Sequence, residues 1–191
     1  MHAVIVYESL FGNTRRVAEA ISEGVREAHP DAEVDCLRVD EADPERVAAA
    51  DLLVVGGPTH MRGMTSRMSR KMGRTGEKQG TPGEPGKGPE PGAEGPGAEG
   101  PEAEGPDAEG PGVRDWFHTL PKARNGAHAA AFDTRMGSGM AGGAARGIAR
   151  RLRGHGFALV ADPEGFVIQD AEGPLREGEP GRAKEWGASL S

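Results

Sequence analysis

A repeated pentapeptide limits where this chain can build a folded core. The pattern Pro-x-Ala-Glu-Gly occurs four times in succession from Pro91 to Gly110 and begins again at Pro111. It lies within residues 73–112, where glycine and proline make up 21 of the forty residues. From Pro82 to Gly112 there is no aromatic or β-branched residue, so burial cannot offset the entropy of ordering this backbone. We therefore predict that residues 73–112 form a disordered, low-complexity, acidic loop.

The rest of the chain is sufficient for one folded domain. Outside residues 73–112 the sequence keeps 151 of its 191 residues, and a domain of that length buries roughly 70% of its unfolded surface. The formal net charge is −7, of which the repeat region contributes −6. Because the remainder is nearly neutral, the composition disfavours nucleic-acid binding through a basic field and a strongly acidic docking face. We predict a single domain over residues 1–191, with 73–112 as an insertion within it.

Cysteine content and hydropathy predict a cytoplasmic location without membrane insertion. Cys36 is the single cysteine, so no intrachain disulfide can form, which is typical of a reducing compartment. The N-terminal segment lacks the basic region of a secretory signal, and Glu8 interrupts its apolar residues. The longest strongly apolar run, Leu52–Val55, is far shorter than the roughly 20 residues that cross a bilayer.

Hydrophobic patterning predicts strands and helices in alternation. The first unit is a strand at His2–Tyr7, a turn, and a helix whose apolar residues recur at intervals of three and four. Leu52–Val55 is apolar at every position, as in a central parallel strand covered on both faces, and Gly56 to Pro58 is expected to end it. The other predicted elements are strands at Glu33–Val39, Ala127–Phe132 and, as one broken strand, Phe157–Val160 with Phe166–Ile168, and helices at Asp43–Ala50, Val113–Leu120, Ala141–Leu152 and Gly181–Leu190, the last with Trp186 and Leu190 as its apolar side. Short βα connections favour a doubly wound α/β fold of five parallel strands with helices on both faces.

The turn after the first strand has the composition of an anion-binding loop. It reads Glu8-Ser9-Leu10-Phe11-Gly12-Asn13-Thr14 and leads into a helix N-terminus. Backbone N–H groups of the first helical turn, the two hydroxyls and the Asn13 amide can surround a phosphate, while Gly12 allows close approach. A well-capped βα turn without a ligand would have the same composition. The glycine patterns of ATPase and dinucleotide loops do not follow this strand, which disfavours both of those sites.

Together with two later segments, this loop resembles the flavodoxin family, and the resemblance covers nearly all of the chain outside the repeat region. The family's phosphate loop follows the pattern Thr/Ser-x-Thr-Gly-x-Thr. Ser9, Gly12 and Thr14 match it, whereas Phe11 stands where the family usually has a hydroxyl. The resemblance implies FMN as cofactor and a sheet of order 2-1-3-4-5, with the cofactor at the ends of strands one and three. It also implies that the repeat region splits the third helix into Thr65–Met72 and Val113–Leu120.

Two segments correspond to the family's flavin-contacting loops. The first is Gly56–Gly63 after the third strand, and the second is Phe132–Ser138 after the fourth. Carboxyl ends of parallel strands meet at one edge of a sheet, so these loops and the phosphate loop are expected to lie together. The resemblance implies that the cofactor-binding residues are Ser9, Leu10, Phe11, Gly12, Asn13, Thr14, Pro58, Thr59, His60, Met61, Gly63, Asp133, Thr134, Arg135 and Gly137.

Both flavin loops depart from the family's pattern. Electron-carrying flavodoxins usually hold the flavin between aromatic rings, and neither loop offers one at the expected place. Stacking and acidic surroundings lower the potential of the reduced anion, so their absence predicts a less extreme potential. His60 is a candidate for the flavin edge, Met61 for a ring face, and Arg135 for a nearby positive charge. The alternatives are a loop histidine bonded to the backbone and a surface arginine.

The sequence is interpreted as an FMN-binding redox protein that passes electrons between a reductase and an acceptor, either a partner protein or a quinone. Two alternatives stay open. The first is an FMN-dependent NAD(P)H:quinone or protoporphyrinogen-type oxidoreductase on the same fold, which the missing rings favour. The second is a flavin-free interaction module, in which Phe11 blocks the phosphate pocket. No metal site is predicted, because the six histidines show no ligand spacing and neither His-Glu-x-x-His nor Cys-x-x-Cys occurs.

Overall fold

The strands form one sheet that is parallel except for a short added strand. The computed structural model describes residues 1–60, 63–64, 112–124, 126–137, 143–170 and 173–190. Its strands are β1 (His2–Tyr7), β2 (Glu33–Arg38), β3 (Leu52–His60), β4 (Gly63–Met64), β5 (His128–Met136), β6 (Ala158–Leu159) and β7 (Glu164–Ile168). The order is β2-β1-β3-β5-β6, with β7 also paired to β5 and β4 antiparallel to β3.

β6 and β7 together fill one position of the sheet. β6 pairs with His128 and Ala129 at the start of β5, and β7 pairs with Phe132 to Met136 at its end. The parallel part therefore has five positions in the order 2-1-3-4-5. This confirms the predicted doubly wound fold and its broken last strand.

Helices cover both faces of this sheet. They are α1 (Asn13–Ala28), α2 (Pro44–Ala48), α3 (Val113–Trp116), α4 (Ala144–Gly154) and α5 (Glu179–Ala188). α1 and α5 pack on the face that carries Ile5, whereas α2, α3 and α4 pack on the face that carries its neighbour Val6. Adjacent strand residues are thus buried on opposite sides, which explains the uninterrupted apolar run of the central strand. None of the helices in the described ranges has the length and hydrophobicity to cross a membrane.

β3 continues past the glycines that were expected to end it. Gly56, Gly57 and Pro58 remain in the ladder and pair with Phe132, Asp133 and Thr134 of β5. β1 pairs with β3 only as far as Gly56, so Pro58 lies where the strand has become an edge and a missing N–H is tolerated. A Cβ at Gly56 would overlap the Phe132 ring, so this glycine serves close packing and not a turn.

The ends of two other predicted elements also differ from the structure. β5 extends through Met136, because its last residues pair with β3 and β7; residues 133–135 are therefore strand and not loop. The last helix ends at Ala188, and its buried residues are Ala183 and Gly187, whereas Leu190 is buried beyond its end. The predicted helix at Thr65–Met72 and residues 73–111 lie outside the described residues.

Candidate functional site

The loop between β1 and α1 is a tight turn that depends on Gly12. This residue has φ 76° and ψ −15°, in the left-handed region, and directly precedes α1. A Cβ at this position would meet no described atom within 4 Å. Backbone conformation therefore selects glycine here, because other residues pay a steric cost at positive φ. Ser9, Leu10 and Phe11 are half-buried in the same turn.

The polar groups of this loop suit a bound anion. Ser9 Oγ is buried and has no hydrogen-bond partner among the described residues. Within the same ranges, α1 begins without a side-chain cap or an acidic residue in its first turn. Arg16 in that turn is exposed, and a cation there opposes the positive end of the helix dipole. A phosphate would accept from the Ser9 hydroxyl and favourably meet both the dipole and the arginine.

Two threonine hydroxyls join the phosphate loop to the end of β5. Thr14 Oγ1 and Thr134 Oγ1 are 2.8 Å apart, and both side chains are buried. One hydroxyl donates in this bond, while the other keeps its own proton for a second acceptor. The structure thus brings together two predicted site residues that are 120 positions apart in the chain.

The end of β3 reaches the same edge of the sheet. Pro58 pairs with Thr134 in the parallel ladder, and His60 pairs with Gly63 of β4 in an antiparallel turn. Met61 lies outside the described residues. The proposed contacts of His60 and Met61 with a flavin therefore stay predictions.

Thr59 and Asp133 cap the first turn of α4. Thr59 Oγ1 accepts a hydrogen bond from the backbone N–H of Ala144 at 2.9 Å, and Asp133 Oδ2 accepts one from that of Ala145, also at 2.9 Å. Gly143 precedes the helix, and a Cβ there would overlap Asp133 Oδ2. Side chains from the ends of β3 and β5 therefore replace a local cap and fix where α4 begins.

The Asp133 carboxyl is a buried ionisable group whose negative form is incompletely compensated. Its side chain is fully buried, and burial raises the pKa of this carboxyl. Three neighbouring groups lower the pKa of this carboxyl, and they are the Ala145 N–H, the Arg135 guanidinium and the Thr59 hydroxyl. Arg135 Nε is 3.6 Å from Oδ1, an oxygen that has no hydrogen-bond partner in the part of the chain that is described. The Arg135 cation is thus held at the strand end by Asp133.

Replacing Asp133 with asparagine is expected to flatten the dependence of stability on pH. The folded protein retains a proton on this carboxyl above its ordinary pKa of 3.8, where the unfolded chain has released it. Stability therefore falls as pH rises from that value through the raised pKa. The asparagine oxygen can still accept from Ala145 but cannot ionise. Urea unfolding from pH 4 to 8 should show a smaller decline in Asp133→Asn than in the parent, and an unchanged decline in the exposed Asp170→Asn.

Residues outside the predicted loops border the site as well. A Cβ on Gly173 would overlap the Asn13 side-chain amide, so this glycine backbone lies against the start of α1. A Cβ on Gly137 would lie 2.6 Å from a guanidinium nitrogen of Arg176. The segment after β7 therefore borders both the phosphate loop and the end of β5. No sequence motif marks Gly173 or Arg176, because their contacts depend on tertiary position.

Glu8 links the phosphate loop to the chain that follows the repeat region. Its carboxylate is buried, and Oε2 accepts a hydrogen bond from the backbone N–H of Val113 at 3.0 Å. Sequence reasoning assigned this residue no role. The signal that could have found it is a carboxylate at the end of an otherwise apolar strand, which needs a buried donor.

Comparison with known proteins points to one family. The sequence model described as Flavodoxin matches residues 5–88. A flavodoxin from Aquifex aeolicus is 40% identical over 67 residues, covering 35% of this chain and 36% of that protein. A protein named NAD(P)H dehydrogenase (quinone) from Geobacter sulfurreducens is 32% identical over 100 residues, covering 40% of this chain and 49% of that protein. The chain thus spans between about a third and a half of the length of these curated relatives.

Solved structures share this fold. A flavodoxin from the domain Archaea aligns with a TM-score of 0.59 at 19% identity, covering 100% of this chain and 96% of that one. Oxidised Flavodoxin 1 from Bacillus cereus aligns with a TM-score of 0.60 at 14% identity, covering 100% and 97%. At these identities the likeness shows the fold alone.

Proposed function

We propose that this chain, which belongs to the flavodoxin family, binds FMN noncovalently at the carboxyl edge of its sheet and passes electrons between a reductase and an acceptor. Members of the family bind FMN and are redox proteins. The observation that carries the proposal is the buried Ser9 hydroxyl in the loop that leads into α1, which lacks a hydrogen-bond partner among the described residues. Bound FMN supplies the redox chemistry, and the protein supplies position and electrostatics.

The residues divide into two binding roles and one supporting role. Ser9–Thr14 would hold the phosphate through backbone and hydroxyl donors. The ring system is assigned to the ends of β3 and β5, and the assigned residues are Pro58, Thr59, His60, Met61, Gly63, Thr134, Arg135 and Gly137. Asp133 instead positions α4, because its carboxylate is buried against the first turn of that helix.

A second candidate is an FMN-dependent NAD(P)H:quinone oxidoreductase. The similarity to the Geobacter sulfurreducens protein named NAD(P)H dehydrogenase (quinone) favours this candidate. The sequence favours it too, because Pro58–Gly63 and Asp133–Gly137 contain no Phe, Tyr or Trp to stack on a flavin. The two candidates share the cofactor and differ in whether the protein itself accepts electrons from a nicotinamide.

The visible absorbance spectrum of the purified protein tests both candidates. After FMN is added and the excess removed, flavin absorbance near one equivalent is expected. A colourless protein that cannot be loaded would contradict both and favour the interaction module. Steady-state oxidation of NADPH by the loaded protein with a quinone then separates them: sustained turnover identifies the oxidoreductase, whereas reduction only through an added reductase identifies the carrier.

A further inference from the structure

A cluster of metal-ligating side chains lies at the amino end of the sheet, opposite the candidate cofactor site. His2 begins β1 and pairs in register with Glu33 of β2, while Val4 pairs with Asp35. Because alternate residues of a strand share a face, His2, Glu33 and Asp35 project from the same side of two adjacent strands. One imidazole and two carboxylates are thus presented together.

Their spacing fits a small ion. One ligand atom from each residue lies within 4.8 Å of the other two. His2 Nε2 and Asp35 Oδ2 are 3.0 Å apart, close to the separation of about 3.4 Å between neighbouring ligands of a tetrahedral zinc ion. Glu33 is exposed and is therefore free to close the remaining distance. His2 and Asp35 are half-buried and hold each other in place, whereas the exposed Glu33 side chain can change its conformation to reach the ion.

The backbone and a neighbouring cation define the cluster further. The His2 N–H donates to Asp51 Oδ2 at 2.7 Å, which fixes the start of β1. Arg46 of α2 donates to Asp35 Oδ2 at 3.3 Å, and its side chain is 62% exposed. The Arg46 guanidinium thus contacts the Asp35 carboxylate from the solvent side, where a metal ion can displace it.

We propose that His2, Glu33 and Asp35 form a binding site for a divalent transition-metal ion, with Zn²⁺ as the best match. The mixed nitrogen and oxygen donors suit Zn²⁺ better than Mg²⁺, which prefers oxygen ligands alone. The ion joins β2, the edge strand, to β1 and leaves the cofactor site untouched. The expectation of no metal site rested on ligand spacing within short motifs, and this set draws on two strands more than thirty residues apart.

Calorimetric titration of the untagged, EDTA-treated protein with Zn²⁺ tests the site. One ion per chain and an increase in the melting temperature are expected, with no effect of Mg²⁺. His2→Ala and Asp35→Asn should each weaken Zn²⁺ binding at least tenfold. Arg46→Ala should strengthen it, because the competing cation is gone. The matched control is His128→Ala, which removes an exposed histidine from the same edge of the sheet and should change nothing.

The variants separate this site from simpler explanations. Circular dichroism of each variant without metal shows whether it is folded, and only folded variants are compared. Binding that survives Asp35→Asn but not His2→Ala would mean that the N-terminal amine and imidazole act without the strand pair, and would overturn the proposal. Binding lost in His128→Ala, or no binding by the parent, would overturn it equally.

Discussion

Replacing Gly24 with alanine is expected to lower the free energy of unfolding by about 3 kcal/mol. Gly24 lies on α1 where it meets α5. A Cβ at this position would overlap the Lys184 carbonyl oxygen and lie 2.8 Å from the backbone nitrogen of Ala188. These are main-chain atoms within a helix, so they cannot rotate away as the end of a flexible side chain can. The two helices must separate to admit one methyl group.

The contact is reciprocal, which strengthens this expectation. On the α5 side, a Cβ at Gly187 would overlap the Ile21 carbonyl oxygen and lie 2.9 Å from Ile21 Cα. Gly24 and Gly187 therefore allow the two backbones to approach more closely than any side chain would permit. Since α1 also carries the phosphate loop at its N-terminus, separation of the helices should reduce the affinity for FMN as well.

Gly181→Ala provides the matched control for this prediction. Gly181 also lies in α5, but a Cβ there would meet no described atom within 4 Å. Alanine at an open helical position favours the helix, and a gain of roughly 0.5–1 kcal/mol is expected. Urea unfolding of both variants measures the two effects. Similar changes in Gly24→Ala and Gly181→Ala would show that helix propensity, and not backbone contact, determines the outcome.

Local sequence signals predict most of the secondary structure. The apolar alternation after Pro30 predicts β2 at Glu33–Val39, and the strand occupies Glu33–Arg38. Asp43 followed by Pro44 predicts the start of α2, and the Asp43 side chain indeed accepts from the N–H of Glu45 at 3.0 Å. Such signals act between residues close in sequence, so one sequence is enough to interpret them.

Strand ends and site contacts could not be predicted in this way. Gly56, Gly57 and Pro58 signal a break locally, yet pairing with β5 keeps them in the sheet. The predicted loops do lie at one edge, but the bonds between them join residues far apart in the chain, such as Thr14 and Thr134 across 120 positions. Whether a side chain meets a ligand or caps a helix depends on this tertiary register. Asp133 shows this, because its position near the carboxyl edge of the sheet is predictable and its burial against α4 is not.

Replacing Ser9 with alanine is expected to weaken FMN binding while leaving the protein without ligand at least as stable. The Ser9 hydroxyl is buried without a partner in the described ranges, and such a group costs roughly 1–3 kcal/mol. Its removal should therefore raise the free energy of unfolding by about 1 kcal/mol in the absence of FMN. A hydrogen bond to a charged phosphate contributes roughly 1.5–3 kcal/mol, which corresponds to an affinity loss of roughly 10- to 150-fold.

Riboflavin, which lacks the phosphate, makes this prediction specific. If Ser9 binds the phosphate, Ser9→Ala loses affinity for FMN and keeps its affinity for riboflavin. The dissociation constant for riboflavin divided by that for FMN then falls by the same factor. Fluorescence titration with each flavin measures both constants. Ser189→Ala is the control, because that exposed hydroxyl donates only to the Trp186 carbonyl at 2.7 Å, far along the chain from the loop. Equal losses for both flavins would place Ser9 against the ring or in the fold of the loop, and the phosphate would then have to be assigned to other donors.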